Sequence, residues 1–346
     1  MAAVITSPGE EDPQDGDWPC PSPMSNFVLW REYVTYPRAA APAVADAFWS
    51  TEALLGYHSE FVTLRTPSQE QAKRQLQLTL LVNNRHRGTA RRGLIVSGPP
   101  GAGKSTNLLE LGRSFERRER AKRPRIADYL PVAFAAIPPS CTPKGLVMEF
   151  ARFLGIPVHD RMTESTLTDA VCGVMVQRRT RLVFIDDVHL LNTRTGPGAG
   201  SADQVKALAE RIPATFVLAG VDVETSALLT GPRGAQIAAR FKILRTAPML
   251  NGTSDQKQAW HKLLGDMEQA LRLRNHQPGT LVRNADLIHL RTGGVMASVF
   301  ALVREAAICS VLDGTLAVTR RLLAEVVLDS QATNAARARR RRRDPS

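Results

Sequence analysis

The sequence predicts an α/β domain, a parallel sheet sandwiched by helices, followed by a small all-helical domain. Three observations predict it. Between residues 93 and 246, short apolar runs of strand length alternate with amphipathic stretches, the pattern of a parallel sheet covered on both faces. The first of these runs, GLIVS (93–97), passes directly into the glycine-rich segment GPPGAGKS (98–105). Strand-like runs then stop near Asn251, and only helical patterning follows. At 346 residues the chain exceeds the size at which one core usually stops growing, so a large domain with a smaller companion is expected.

In chain order, residues 1–25 are acidic and rich in proline and are expected to be disordered. They lack the basic flank and long apolar stretch of a signal peptide. Residues 26–90 form a helical extension, in which QEQAKRQLQLTLLVNNRHR (69–87) is the clearest amphipathic stretch. The α/β domain spans 91–250. Its first strand, 93–97, precedes a helix over Ser105–Arg118, and PVAFAAI (131–137) is the next strand. TPKGLVMEFARFLG (142–155) is a helix with Thr142 as its cap and Gly155 as its stop. STLTDAVCGVMVQRR (165–179) is a helix, RLVFI (181–185) a strand, ADQVKALAERI (202–212) a helix and ATFVLAG (214–220) a strand. FKILRT (241–246) is the last extended piece. Residues 251–330 carry helices over 254–275, 283–292, 294–312 and 319–329, and 331–346 form a basic, disordered tail.

GPPGAGKS matches G-x-x-x-x-G-K-[ST] at every fixed position, between a strand and a helix as that motif requires. Its glycines Gly98, Gly101 and Gly103 let the backbone curl so that successive N–H groups face one phosphate, and the following helix adds its N-terminal dipole. Gly98, Pro99, Pro100, Gly101, Ala102, Gly103, Lys104, Ser105 and Thr106 are therefore the expected cradle of ATP. Lys104 reaches the β and γ phosphates, and the Ser105 hydroxyl is a ligand for Mg²⁺. In RLVFIDDVHLL (181–191) two acids end a buried strand. Asp186 is expected on the metal side, and Asp187 stands where many such ATPases place a glutamate that orients the attacking water. Aspartate is one methylene shorter, so hydrolysis is expected to be slow or to await an assembly step; alternatively Asp187 is a surface acid without catalytic duty. His189 either relays between nucleotide and partner or is structural.

With these motifs in order the chain resembles the AAA+ ATPases and, within them, the TniB-like transposition proteins, relatives of TnsC. The likeness covers roughly 27–330 and rests on VAFAAIPPSCTPKGLVMEFARFLGIP, IPATFVLAGVDVE, GPRGAQIAARF, RTGGVMASVFALVREAAI and DGTLAVTRRLLAEV. It implies a P-loop sheet with a helical lid and an ATP-dependent regulator that assembles on duplex DNA, helps choose the insertion target and communicates with a separate transposase. It also implies self-association into a ring or filament, with a cation that enters the neighbour's ATP site. Arg240 matches that place, Arg233 is the runner-up, and an ordinary surface cation is the alternative. Two departures from the family pattern weaken fast turnover: Val221, beside Asp222, replaces the polar sensor after the fourth strand, and the lid's sensor arginine falls near Met296.

The net charge of +12 suggests a polyanionic partner. Two basic clusters, the tail (Arg337, Arg339–Arg343) and RRERAKRPR (117–125), read as a loop, are candidates for backbone contact with duplex DNA; neither interleaves aromatics for single-strand stacking. No run approaches a membrane span, and Cys20, Cys141, Cys172 and Cys309 show no metal or disulfide spacing, as expected of reduced thiols in a cytoplasmic protein. A nucleotide-switched scaffold without a DNA role, and a helicase loader or initiator-like ATPase, remain as alternatives. Against the initiator, only about 17 residues follow Asp329, too few for its usual DNA-binding module. YHSEFVTLRTPS (57–68) is a plausible wall of the adenine pocket.

Overall fold

The computed structural model describes residues 21–37, 49–60, 66–85, 91–126, 128–159, 161–191, 200–226 and 228–329. Five strands, β1 (Gly93–Ser97), β2 (Val132–Ala136), β3 (Leu182–Asp186), β4 (Thr215–Gly220) and β5 (Phe241–Arg245), form one sheet in the order β2-β3-β4-β1-β5. Every pairing is parallel. The four inner-to-far strands are apolar and buried almost throughout, because helices cover both faces. β5 differs: only Leu244 is buried, and the exposed Lys242 and Arg245 blunt an open edge.

The path from β1 to β2 skips β3 and β4. All strands run the same way, so the carboxyl ends of β1, β3 and β4 meet along one rim, where open α/β sheets bind ligands. The covering helices are α4 (Lys104–Lys122), α5 (Pro143–Leu154), α6 (Glu164–Gln177), α7 (Ser201–Arg211) and α8 (Gly231–Ala238). Thr142 caps α5 by accepting from Gly145 N, and Gly155 ends it in the left-handed region at φ 70°.

The helical extension divides between two hydrophobic cores. Helices α1 (Phe27–Thr35) and α3 (Pro67–Arg85) join the sheet core through Trp30, Val34, Ala72, Leu76 and Leu80. Trp30 packs on Phe134 at 4.6 Å between ring centroids and donates its indole N–H to the buried Glu116 carboxylate. Between them, α2 (Thr51–Ser59) belongs to the second core, with Leu54 packed there and the Tyr57 hydroxyl donating to Ala270 O at 2.8 Å. That core is made by α9 (Ser254–Ala270), α10 (Thr280–Arg283), α11 (Ala285–Thr292), α12 (Met296–Leu312) and α13 (Arg320–Glu325) around Trp260, Leu264, Leu281 and Leu302. The capping box of Thr253 and Gln256 starts α9.

The structure departs from the sequence expectation in several places; the helices expected over 254–275 and 319–329 end at Ala270 and Glu325. α4 continues through Lys122, so most of 117–125 is helix rather than loop. α8, which the sequence pattern left unassigned, is a helix opened by Pro232 near its start. The expected helix over 283–292 is broken at Asn284 into α10 and α11. Of the terminus expected to be disordered, 1–25, residues 1–20 lie outside the described residues and 21–25 form a turn in which Ser25 N donates to Ser22 O at 2.9 Å; the basic tail 331–346 and Cys20 also lie outside them, while Cys141 and Cys172 are buried and Cys309 is exposed. No helix among the described residues is long and apolar enough to cross a membrane.

His58 on α2 is expected to make the docking of this helix pH-dependent. Burial pushes its pKa down from 6.5 to about 4, against a hydrogen bond to the Leu271 backbone, and its Nε2 has no partner among the described residues. The folded protein thus holds a neutral ring. Its stability contribution is complete above pH 6.5 and declines as the pH falls through 4, by a total of about 3 kcal/mol. Thermal melts of wild type and His58→Phe between pH 7 and 4 are expected to diverge, the wild type losing stability more steeply; parallel curves would exclude this.

Candidate nucleotide-binding site

The loop between β1 and α4 owes its shape to two glycines, one for its backbone conformation and one for a close approach. Gly103 sits at φ +81°, and a Cβ on Gly98 would fall 2.2 Å from Thr246 O, where the chain leaves β5. Gly98 N donates to Gly220 O at 3.3 Å, tying the loop's start to the end of β4. Lys104 opens α4 and is only 7% exposed. Its Nζ donates to Gly98 O at 2.9 Å and Pro99 O at 2.8 Å, so the ammonium is folded back over the loop it serves. Desolvation lowers its pKa, and the charges of Asp186, Asp187 and Asp222 oppose that shift.

Asp186 ends β3 at 2% exposure. Burial raises its pKa; a hydrogen bond from Ser105 pulls it down, while Asp187 pushes it further up. Its Oδ1 also accepts from Asp187 N at 2.9 Å. Asp187 itself takes the left-handed conformation, φ 56°, which aspartate tolerates better than most residues, and its half-exposed side chain reaches the cavity described next. A short 3-10 turn, Val188–Leu190, follows. His189 accepts from Val221 N through Nδ1 at 3.3 Å, which leaves the ring proton on Nε2 and pins the exit of β3 to the exit of β4. Its distance from Asp187 Oδ1 is 3.9 Å.

A cavity of about 470 Å³ opens along this rim. Of the expected cradle, Pro100 through Thr106 line it; Gly98 and Pro99 instead hold Lys104 with their carbonyls, and Asp186 lies behind Ser105. The opposite wall is contributed by α12 of the second core, with Met296, Phe300 and Arg304 spaced four residues apart on one face. The Ala297 N–H donates to Gly101 O at 3.0 Å, so the lid helix touches the phosphate loop directly. Thr66 and Gln69 at the start of α3 complete the wall; Thr66 falls within the stretch 57–68 expected there, of which 61–65 lie outside the described residues.

The lid position where the family pattern has a sensor arginine falls near Met296, which is apolar. The structure brings Arg304 to the same wall about two turns later. The i, i+4, i+8 spacing from Met296 was the available signal. Val221 lines the cavity at the place where the family pattern has a polar sensor, and Asp222 is exposed beside it. Arg240 does not join the site. It precedes β5, at the amino end of the sheet and so at the opposite end from the phosphate loop, where its carbonyl accepts from Gly93 N at 3.1 Å and its guanidinium pairs with Glu210 at 3.0 Å. The side chain of Arg233 lies outside the described residues.

The basic cluster at 117–125 is partly neutralised from within. Buried Glu116 holds Arg120 at 2.7 Å, and buried Glu119 pairs with Arg123, with Lys122 at 3.6 Å and with Arg181 from the start of β3 at 2.5 Å. Arg117, Arg118 and Arg125 remain exposed.

A model of the family described as Bacterial TniB protein matches residues 60–272. No curated protein matches the chain in sequence. Among solved structures, Cdc6p from Pyrobaculum aerophilum is similar at 17% identity and a TM-score of 0.53, covering 76% of this chain and 67% of that one. The Aeropyrum pernix ORC2 protein, solved with ADPNP and ADP, is similar at 14% identity and TM-score 0.57 over 82% of this chain and 70% of its own. The ORC1 protein of the same organism, in complex with DNA, is similar at 16% identity and TM-score 0.55 over 84% and 69%. Since the family match spans more than half of its length, the chain belongs to the bacterial TniB family, built on the AAA+ P-loop fold.

Proposed function

We propose that this protein is an ATP-binding, slowly hydrolysing AAA+ regulator that assembles on duplex DNA and controls transposition together with a separate transposase. The observation that carries the reading is the separation of its two cationic groups: Lys104 lies in the cavity, whereas Arg240 sits at the amino end of β5, the opposite end of the sheet from the phosphate loop. A site with its own phosphate loop and acids, and its arginine facing outward, is completed by a second copy.

Within one site, Lys104 binds the terminal phosphates and the loop amides cradle them. The Ser105 hydroxyl and the Asp186 carboxylate are hard oxygen donors already hydrogen-bonded to each other, a donor set that suits Mg²⁺, which keeps several waters and few protein ligands. When bound, that ion would neutralise charge on the phosphates. Asp187 orients the attacking water, at a reach shorter than a glutamate's. DNA contact falls to the exposed cations of 117–125 and to the basic tail, on their charge; DNA binding as such is supported by the similar fold of an ORC1 protein solved in complex with DNA.

The test is ATP turnover by the purified protein with and without long duplex DNA, at low and moderate salt. Stimulation by DNA that fades with salt is expected. Turnover near zero under every condition would favour a nucleotide-switched scaffold. Asp187→Glu is expected to raise turnover by up to about 100-fold by restoring the reach to water, and Asp187→Asn to abolish it. A wild-type rate in Asp187→Asn would remove Asp187 from the mechanism.

A further inference from the structure

A second cavity, of about 1110 Å³, lies in the helical domain and is lined from α9, α10, α11 and α13. Three exposed cations stand on its wall: Lys257, Arg283 and Arg320. Neutral oxygens aim the two guanidinium groups. Arg283 donates to Pro278 O at 3.1 Å and to Thr280 Oγ1 at 2.8 Å, and Arg320 donates to Asn284 Oδ1 at 3.1 Å. Asn284 is 8% exposed and is fixed in turn by its own bond to Thr280 O at 2.8 Å. Among the described residues none of the three cations pairs with a carboxylate, whereas the adjacent Arg321 pairs with Glu325 at 3.0 Å. The acid on the cavity wall, Asp286, accepts instead from Asn251 Nδ2 at 2.9 Å. The groove thus presents oriented positive charge that suits carboxylate or phosphate oxygens.

Its apolar lining decides between them. Leu250, 58% exposed, shares the wall with Leu287 and Leu290. A phosphodiester backbone offers nothing to leucine side chains, whereas an acidic peptide with an apolar residue satisfies both. The chain carries such a stretch outside the described residues: GEEDPQDGDWP (9–19) holds Glu10, Glu11, Asp12, Asp15 and Asp17, no cation, and Trp18. These acids lie nine to sixteen residues before Asn26, the cap of α1. Extended, that tether spans up to about 30–55 Å. A compact chain of this length is about 50 Å across, so the groove is within reach.

We propose that this acidic segment folds back into the groove of its own chain and sets its carboxylates on Lys257, Arg283 and Arg320. Each exposed pair is weak. A tether of this length holds the segment at about millimolar concentration, so weak pairs suffice.

The test is zero-length carbodiimide coupling of the full chain, mapped by mass spectrometry. Lys257 is expected to couple to one or more of the five acids, with a yield that falls several-fold between about 50 and 500 mM salt. Arg283→Ala with Arg320→Ala leaves Lys257 in place and is expected to lower that yield about fivefold. Neutralising four acids (Glu10→Gln, Glu11→Gln, Asp12→Asn and Asp15→Asn) is expected to do the same to coupling at Asp17. That variant leaves the lid untouched and decides the matter if the arginine variant does not fold. Absence of coupling from Lys257, in a sample where Lys262 couples to Asp266 at 2.8 Å, overturns the proposal. So does a yield that neither salt nor the variants change, which marks random collision. Coupling found only between isotope-labelled and unlabelled copies also overturns the fold-back and places the segment on a neighbour. Loss of duplex DNA binding in the arginine variant, with no coupling in wild type, would make the groove a nucleic-acid contact instead.

Discussion

Replacing Lys104 by alanine is expected to lower the affinity for ATP by about 100-fold or more. The ammonium is nearly sealed from water, with two loop carbonyls at 2.9 and 2.8 Å and the charges of Asp186, Asp187 and Asp222 around it. A group held this way has already lost its solvent shell, so little further desolvation opposes its transfer from carbonyls to phosphate oxygens. A hydrogen bond to a charged group contributes about 1.5–3 kcal/mol, and two such bonds account for at least about 100-fold. Lys104→Arg is expected to fail as well, because a planar guanidinium is larger than the space a 7% exposed ammonium occupies. Titration of the purified variants with Mg·ATP measures this, and an affinity within tenfold of wild type would mean that the loop binds through backbone amides alone.

The Arg240→Ala variant is expected to lose about 10³ in DNA-stimulated turnover while keeping its affinity for ATP within a few-fold. The backbone of Arg240 is anchored at Gly93, the amino end of β1, whereas the phosphate loop begins after Ser97 at the other end. Five strand residues separate the two by about 16 Å, beyond the reach of an arginine side chain. It therefore serves a neighbour or serves nothing here. Its pairing with Glu210 is half-exposed and contributes under about 1 kcal/mol, so a neighbour's phosphate can displace it. Mixing is the decisive measurement. Lys104→Ala retains Arg240, and Arg240→Ala retains an intact loop, so the two inactive variants together are expected to recover part of the activity. No recovery on mixing would leave Arg240 a surface cation.

Much of the candidate site was legible because its information is local. The spacing in GPPGAGKS, the apolar run that ends at Asp186, and the Thr142 and Gly155 boundaries of α5 each need only a few neighbouring residues to be read. Other features resisted. The segment forming α8, GPRGAQIA, contains two glycines and a proline, so local propensity argued against the helix that the structure contains. The cluster at 117–125 counted as six cations in sequence, but Glu116 and Glu119, buried on the same helix, hold three of them. Charge counting cannot see which carboxylates are desolvated beside which guanidinium groups.

The sequence by itself determined the parallel sheet, the phosphate loop and the acid at the end of β3, since strand periodicity and motif spacing are properties of contiguous residues. Only the tertiary structure decided that α3, α4 and α12 share one cavity and that Arg304, two turns after Met296, stands on its wall. Those facts depend on how segments more than 190 residues apart in the chain pack against each other, as from Asn107 to Phe300, and that packing comes from burial of the two cores, which no local window contains.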